Sequence, residues 1–131
     1  MLLDAAPDAV IATAQREVRA AGLTIVAVAA DEGYLETGWY DVLTRRNVDA
    51  RAPDFDHTVK LRLFADPTAG KTRLVGECVR RIAYDPSEPE RDLERMVPDS
   101  TPQRAPLDSL LARLKVDYPP PKTAADTTGR P

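Results

Sequence analysis

The sequence predicts an α+β fold: a four-stranded antiparallel meander sheet covered on one face by an N-terminal and a C-terminal helix. Three observations support it, namely an apolar stripe at helical spacing near the start, strand-like alternation in the middle, and a leucine-rich helical stripe near the end. A length of 131 residues is usual for one domain. We therefore expect a single domain over residues 1–117 and a disordered, proline-rich tail over residues 118–131.

The first helix is predicted at residues 7–22, PDAVIATAQREVRAAG. Apolar residues recur at i, i+4 and i+8 and form one face, which consists of Val10, Ala14 and Val18. Pro7 suits the first turn, because the amide hydrogen that proline lacks would have no partner inside the helix. Gly22 follows the last apolar position and is expected to end the helix.

A first hairpin is predicted directly after this helix. Residues 23–30, LTIVAVAA, form a short strand that is apolar on both faces and rich in β-branched residues. Asp31, Glu32 and Gly33 then connect it to the next strand, with Gly33 able to adopt a positive φ.

The returning strand contains the only tryptophan, Trp39. Alternation along YLETGWY sets Leu35, Thr37 and Trp39 on one face and Tyr34, Glu36 and Tyr40 on the other. A strand face that carries leucine and tryptophan normally points inward. We therefore expect the indole of Trp39 in the interior between the helices and the sheet.

A second hairpin follows residues 42–56, which include Pro53, lack a clean period and are expected to form a long loop with extended ends. HTVKLRLFA, residues 57–65, alternates between apolar and mostly polar side chains. DPTAG is a turn by composition, and KTRLVGECVRRIAY is the returning strand, with Gly76 as a candidate β-bulge.

The C-terminal part begins with a polar, proline-punctuated crossing that has room for one helical turn near residues 91–95. PLDSLLARLKV then predicts the second helix, whose apolar stripe consists of Leu107, Leu110, Leu111 and Leu114. Strands with one polar face suit an antiparallel sheet that is wet on one side, with both helices covering the other side.

Composition excludes several classes of function. The net charge of −3 and the small number of aromatic residues argue against a nucleic-acid partner. No apolar run approaches the roughly 20 residues that span a bilayer. A basic segment followed by an apolar one, as in a signal peptide, is not visible either.

The residues that usually carry chemistry are few. The single histidine, His57, lies at a strand start, and the single cysteine, Cys78, has the pattern of a buried small side chain. One histidine and one cysteine do not make a usual zinc site, and the acidic residues lack calcium-loop spacing. We therefore expect a protein that is not an enzyme and that has no metal or cofactor.

A group of basic residues on the second hairpin is the candidate partner-binding surface. It consists of Lys60, Arg62, Arg73, Arg80 and Arg81. Some of these side chains would project from the wet face of the sheet and meet an acidic partner or anionic headgroups. The alternative is an ordinary solvated sheet surface, whose basic edge residues discourage aggregation.

The pattern ADEGYLETGWYD resembles the BamC/NlpB type of bacterial outer-membrane lipoprotein, in which a helix and a strand lead to Asp-x-Gly-x-apolar-x-Thr-x-Trp, a hairpin and a closing helix. The residues that match the pattern are Asp31, Gly33, Leu35, Thr37 and Trp39. The likeness spans roughly residues 7–116. It implies a helix-grip-like fold with turn residues at Asp31 and Gly33 and packing residues at Leu35 and Trp39.

The resemblance also implies a function without catalytic residues. It points to a protein-binding or scaffolding domain of the bacterial cell envelope, periplasmic or associated with the outer membrane, whose partner is another envelope protein. The family reaches the membrane through a lipid anchor, and no lipid-attachment cysteine stands near the start of this chain.

An alternative function belongs to another class. A helix packed on a curved sheet can leave an apolar cavity that binds a small molecule. Tyr34 and Trp39 are the expected lining residues of such a cavity.

Overall fold

The computed structural model describes residues 1–49 and 55–118, apart from the side chain of Glu90. Within these residues the chain forms two α-helices, α1 (Pro7–Ala20) and α2 (Ala105–Asp117). The strands are β1 (Leu2–Leu3), β2 (Ile25–Ala29), β3 (Tyr34–Thr37), β4 (Trp39–Asp41), β5 (Arg46–Val48), β6 (Thr58–Thr68), β7 (Lys71–Arg81) and β8 (Glu94–Met96).

All strand pairs are antiparallel, and the strands form one sheet in the order β1-β7-β6-β3-β2. The strand β8 pairs with the far end of β7, while β4 continues the line of β3 along β6 and pairs with β5. The predicted α+β class is confirmed. The prediction of four strands is wrong, because the described chain has eight.

The additional strands are short, which explains why alternation did not reveal them. β1 has 2 residues, and β5 and β8 have 3 each. Two of them lie in segments predicted as loop or crossing. β1 and β8 pair with the long strand β7, and β5 pairs with β4 across a tight turn, which satisfies backbone amide and carbonyl groups of these segments.

The hydrophobic core lies between the two helices and one face of the sheet. The predicted helical stripes are confirmed, because the side chains of Val10 and Ile11 on α1 and of Leu107 and Leu114 on α2 are fully buried. The sheet contributes Leu35, Val59, Leu61 and Leu63 to the same cluster. Two long amphipathic elements therefore bury one sheet face, as the two-layer prediction requires.

Gly33 confirms the predicted first turn. Residues 30–32 form a single 3₁₀ turn, and Gly33 follows with a φ of 70°. A Cβ atom at this position would lie 2.0 Å from the carbonyl oxygen of Ala65 on β6. Glycine is required here both by the left-handed backbone and by the close approach of the neighbouring strand.

The second hairpin is longer than predicted. The turn consists of Ala69 and Gly70 alone, both with positive φ, which is the type I′ geometry that suits strand twist. The segment before it, predicted as turn, belongs to β6 and includes Pro67. Proline is tolerated there because β3 has already ended, so this part of β6 pairs with β7 only.

Gly76 is not a bulge. The pairing of β6 with β7 runs without a shift from Val59 opposite Arg80 to Thr68 opposite Lys71. A Cβ at Gly76 would lie 2.8 Å from Leu107 Cδ1 on α2. The glycine therefore makes room for the C-terminal helix to approach the sheet.

The crossing and the chain end differ in detail from the predictions. A 3₁₀ turn at Glu90–Leu93 precedes β8 in the region predicted as one helical turn. Tyr118, predicted as the first tail residue, is half-buried and its hydroxyl contacts Thr13 on α1. The remaining tail, residues 119–131, lies outside the described residues, as do residues 50–54 of the predicted long loop.

Candidate functional site

Trp39 lies on the sheet face opposite the helices, so the prediction that it fills the helix–sheet interior is wrong. Its neighbour Tyr40 pairs with Val59, a core residue, and joins the core cluster instead. The strand is interrupted at Gly38, between β3 and β4. One residue inserted into a strand reverses the alternation beyond it, because the side-chain period is two. We call the face that bears Trp39 the outer face.

Two cations flank the indole of Trp39. The Lys60 ammonium nitrogen lies 5.1 Å from the ring centre and the Arg81 guanidinium carbon 4.8 Å from it. Trp39 itself is only 6% exposed. Cation–π contacts of this kind stabilise a partly desolvated cluster by about 0.5–2 kcal/mol each.

A charged network continues from this cluster across the outer face. Glu36 accepts a 2.7 Å hydrogen bond from Lys60 and a 2.6 Å hydrogen bond from the hydroxyl of Tyr34. Arg62 donates two hydrogen bonds of 2.7 Å to the carboxylate of Glu94, in a bidentate arrangement. The charged side chains of this network are therefore paired with one another.

The pKa shifts follow from this pairing. Burial works to raise the pKa of Glu36, but hydrogen bonds from Lys60 and Tyr34 outweigh it and lower the pKa overall. The hydrogen bonds to Glu94 raise the pKa of Arg62 against the opposing effect of burial. Both groups are therefore held in their charged forms.

The predicted basic surface does not exist as one exposed patch. Lys60, Arg62 and Arg81 are 6%, 4% and 4% exposed, whereas Arg80 is half-buried and Arg73 is exposed. The first three residues act inside the network just described. That these residues bind a partner stays a prediction.

His57 contacts the carboxylate that organises the β4–β5 turn. Its Nδ1 lies 3.3 Å from Oδ1 of Asp41, and the same oxygen accepts hydrogen bonds from the backbone amides of Leu43 and Thr44. Burial works to raise the pKa of Asp41, yet these hydrogen bonds lower it overall. Asp41 thus organises the β4–β5 turn as a carboxylate.

Cys78 is fully buried on β7, and its thiol approaches the carbonyl oxygen of Gln103 at 3.7 Å. Burial raises the pKa of this thiol to about 12. The expectation of a buried small side chain is confirmed.

A cleft opens on the helix side of the sheet, at the end where α1, α2 and the β4–β5 turn meet. Its volume is about 340 Å³. The helices contribute Glu17, Val18, Ala21, Ala105, Pro106, Ser109, Leu110 and Arg113, and the rest of the lining is Leu23, Tyr40, Val42, Leu43, Arg45, Leu61 and Pro102. It is the candidate functional site.

The cleft combines an apolar floor with a charged rim. Val18, Leu61 and Leu110 are buried core residues that form part of the lining. Glu17 and Arg113 face each other across the helices, with 3.8 Å between carboxylate oxygen and guanidinium nitrogen. Arg45 belongs to the β4–β5 turn, where its φ is 58° and its amide donates to the carbonyl oxygen of Asp41.

The alternative function expected Tyr34 and Trp39 to line a cavity between helix and sheet, but neither residue lines this cleft. Tyr34 and Trp39 lie on the outer face, where Tyr34 packs against Phe64 with 5.3 Å between ring centres. Tyr40 lines the cleft in their place. The sequence does not single out Arg45, because its segment has no hydrophobic periodicity. The one local signal of an ordered turn is Asp41, since aspartate is a common turn residue.

Within the described ranges no group of three or more His, Cys, Asp or Glu residues is arranged to hold a metal ion. None of the helices formed by residues 1–49 and 55–118 is both long and apolar enough to cross a membrane. Comparison of the chain with protein-family models, with curated proteins and with solved structures found no significant match.

Proposed function

We propose that this protein is a non-enzymatic binding domain that holds a small apolar ligand in the cleft between α1, α2 and the sheet. The observation that supports the proposal is the cleft itself. Its volume of about 340 Å³ falls within the range of roughly 300–1,000 Å³ found for small-molecule sites. Its largely apolar lining with a few charged groups at the rim is also typical of such sites.

The rim indicates the chemistry of the ligand. Arg45 and Arg113 provide two cationic groups against the one carboxylate of Glu17, which Arg113 already contacts. An apolar ligand with one acidic group would bury its chain against the floor and direct its carboxylate to Arg45. A guanidinium is suited to this because it donates to both oxygens of a carboxylate.

The cleft holds no pair suited to nucleophilic catalysis among the described residues. Ser109 is a hydroxyl-bearing residue of the lining, and the only histidine of the chain, His57, is not part of the lining. A serine nucleophile needs a base within hydrogen-bond reach. This supports a binding function rather than an acyl-transfer function.

Calorimetric titration with decanoate and with decanol tests the proposal. We expect decanoate to bind more tightly than decanol, and Arg45→Gln to weaken decanoate alone by about tenfold or more, since a hydrogen bond to a charged group contributes about 1.5–3 kcal/mol. Ser109→Phe should fill the cleft and abolish binding of both probes. Ala112→Phe, an exposed position on the same helix outside the cleft lining, is the matched control.

Two results would contradict this function. One is the absence of binding for both probes to the folded protein. The other is binding that survives Ser109→Phe unchanged, which would place the ligand elsewhere.

A second candidate function is the one implied by the resemblance: a protein-binding domain of the bacterial cell envelope. Exposed apolar side chains on the outer face favour it, namely Leu2, Val75 and Met96 with exposed fractions of 40%, 47% and 56%. Exposed apolar side chains often mark a protein-binding surface where they form a contiguous patch. Fractionation of cells that carry the native gene tests the envelope location, and recovery of the protein in the cytosol would exclude it.

A further inference from the structure

The strand β2 forms an open edge of the sheet without charged residues, proline or, in the described part of the chain, a covering segment, although a β-bulge between Ile25 and Ala27 shifts its register with β3. Among the described residues it pairs with β3 alone and stands at the end of the strand order. Its sequence, Ile25–Ala29, contains neither charge nor proline. Val26 is 59% exposed and Val28 is 42% exposed. Natural edges normally carry lysine, proline or a covering segment, because an uncovered apolar edge pairs with other strands.

The two ends of this edge carry opposite charges. Asp31 and Glu32 are exposed in the turn that follows β2. At the other end β5 continues the edge, joined to the start of β2 through a 3.0 Å hydrogen bond from the Thr24 amide to Asn47. Arg45 and Arg46 are exposed there. Within the part of the chain that the structure describes, these four charged side chains form no ion pair.

We propose that β2 is a dimerisation edge, which pairs antiparallel with β2 of a second copy of this chain and joins two sheets into one. A two-fold axis near Ala27 brings the acidic end of each copy against the basic end of the other. The exposed valines of both copies then cover one another across the seam. A parallel pairing would instead place like charges together, which opposes it.

Backbone hydrogen bonds and the valines supply the attraction, and the charges select the orientation. A short edge contact buries less area than the roughly 1,200–2,000 Å² of a stable interface. The dimer is therefore expected to be reversible and to depend on concentration and on salt.

Sedimentation equilibrium from micromolar to millimolar protein tests the proposal. We expect a mass that rises from the 14.4 kDa monomer toward twice that value, and a weaker association at high salt. The double variant Val26→Lys with Val28→Lys should remain monomeric at all concentrations while retaining its far-UV circular dichroism. Val116→Lys, a 78% exposed valine on α2, is the matched control and should dimerise like the wild type.

A charge exchange tests the orientation. Glu32→Arg and Arg46→Glu should each weaken the dimer about tenfold or more, and the two together should restore it, since each exchanged pair meets across the two-fold axis. A wild-type protein that stays monomeric up to millimolar concentration would overturn the proposal, as would a dimer that the lysine variants do not affect. Failure of the double exchange to restore association would overturn the antiparallel arrangement. Decanoate binding is measured separately, and Glu32, Arg46, Val26 and Val28 lie outside the cleft lining, so the variants of the edge and those of the cleft can fail independently.

Discussion

Arg62 and Glu94 form a bidentate ion pair on the outer face of the sheet, with two hydrogen bonds of 2.7 Å and side-chain exposures of only 5% and 6%. Arg62 lies on the central strand β6 and Glu94 on the short edge strand β8. The pair therefore joins two residues that are 32 positions apart in the chain. A buried charge that loses its partner is costly, because it keeps its desolvation penalty without the compensating attraction.

Glu94→Ala is therefore expected to lower the free energy of unfolding by about 3–5 kcal/mol, measured by urea denaturation. The matched control is Asp99→Ala, which removes an acid that pairs with Arg104 at 3.0 Å but is 86% exposed. Exposed pairs contribute about 0–1 kcal/mol. Equal effects of the two variants would show that the outer-face pair is not desolvated.

Gly33 and Gly70 both have positive φ, but only Gly33 has a close neighbour. A Cβ at Gly33 meets the Ala65 carbonyl oxygen at 2.0 Å, whereas nothing lies within 4 Å of one at Gly70. We expect Gly70→Ala to cost about 1–2 kcal/mol through backbone strain alone. Gly33→Ala should cost more, since β3 must also shift from β6. A smaller loss for Gly33→Ala in thermal unfolding would contradict the tight first turn.

Acid should destabilise the protein partly through Asp41. Its pKa in the folded state is lowered from the ordinary value of 3.8, so the unfolded state binds the proton more readily. The contribution of Asp41 to stability is therefore complete above its ordinary pKa and is lost as the pH falls through the lowered folded pKa.

Urea unfolding at several pH values between about 6 and 2 measures this effect. Asp41→Asn should flatten the acid limb of the stability curve. An exposed carboxylate, changed as Asp117→Asn, serves as the control. An acid limb that is the same in wild type and Asp41→Asn would rule out the contribution.

The thiol of Cys78 should be unreactive in the folded protein. It is fully buried, and burial raises its pKa to about 12. Thiolate is the reactive form, so labelling with a disulfide reagent at pH 8 should proceed only as fast as the chain opens. The same chain in concentrated urea, where labelling is immediate, is the control. Rapid labelling without denaturant would show that the sheet–α2 interface opens easily.

Trp39 is expected to be dispensable for ligand binding, because its ring lies on the face opposite the cleft. Trp39→Leu should leave the dissociation constant for decanoate unchanged while lowering stability by about 1–4 kcal/mol through the loss of its two cation–π contacts. Calorimetry and urea denaturation measure the two effects. A loss of affinity as large as that of Ser109→Phe would show that Trp39 belongs to the binding site.

The faces of the sheet show where prediction from sequence stopped. Val59, Leu61 and Leu63 are all buried in the core, as the alternation predicted for residues 57–65 requires, because β6 pairs without a register shift over its whole length. The same rule failed at Trp39, because the strand is interrupted at Gly38 and alternation carries no signal of an interruption. The predicted exposure of the basic side chains on β6 was wrong for a related reason. Lys60 and Arg62 have the pattern of a solvent-exposed face, and only partners distant in sequence, such as Glu94, explain why these two side chains are buried.

Local patterns were sufficient for the two helices, the two hairpins and the glycine of the first turn, since each depends on contacts within a few residues. Tertiary structure alone decided which face Trp39 takes, that β2 is an edge, and that Arg45 lines a cleft together with residues of both helices. These features arise from strand register and from pairing between distant segments. A single inserted residue reverses the face on which the following side chains lie. Pairing between distant segments produces no periodic pattern in the sequence.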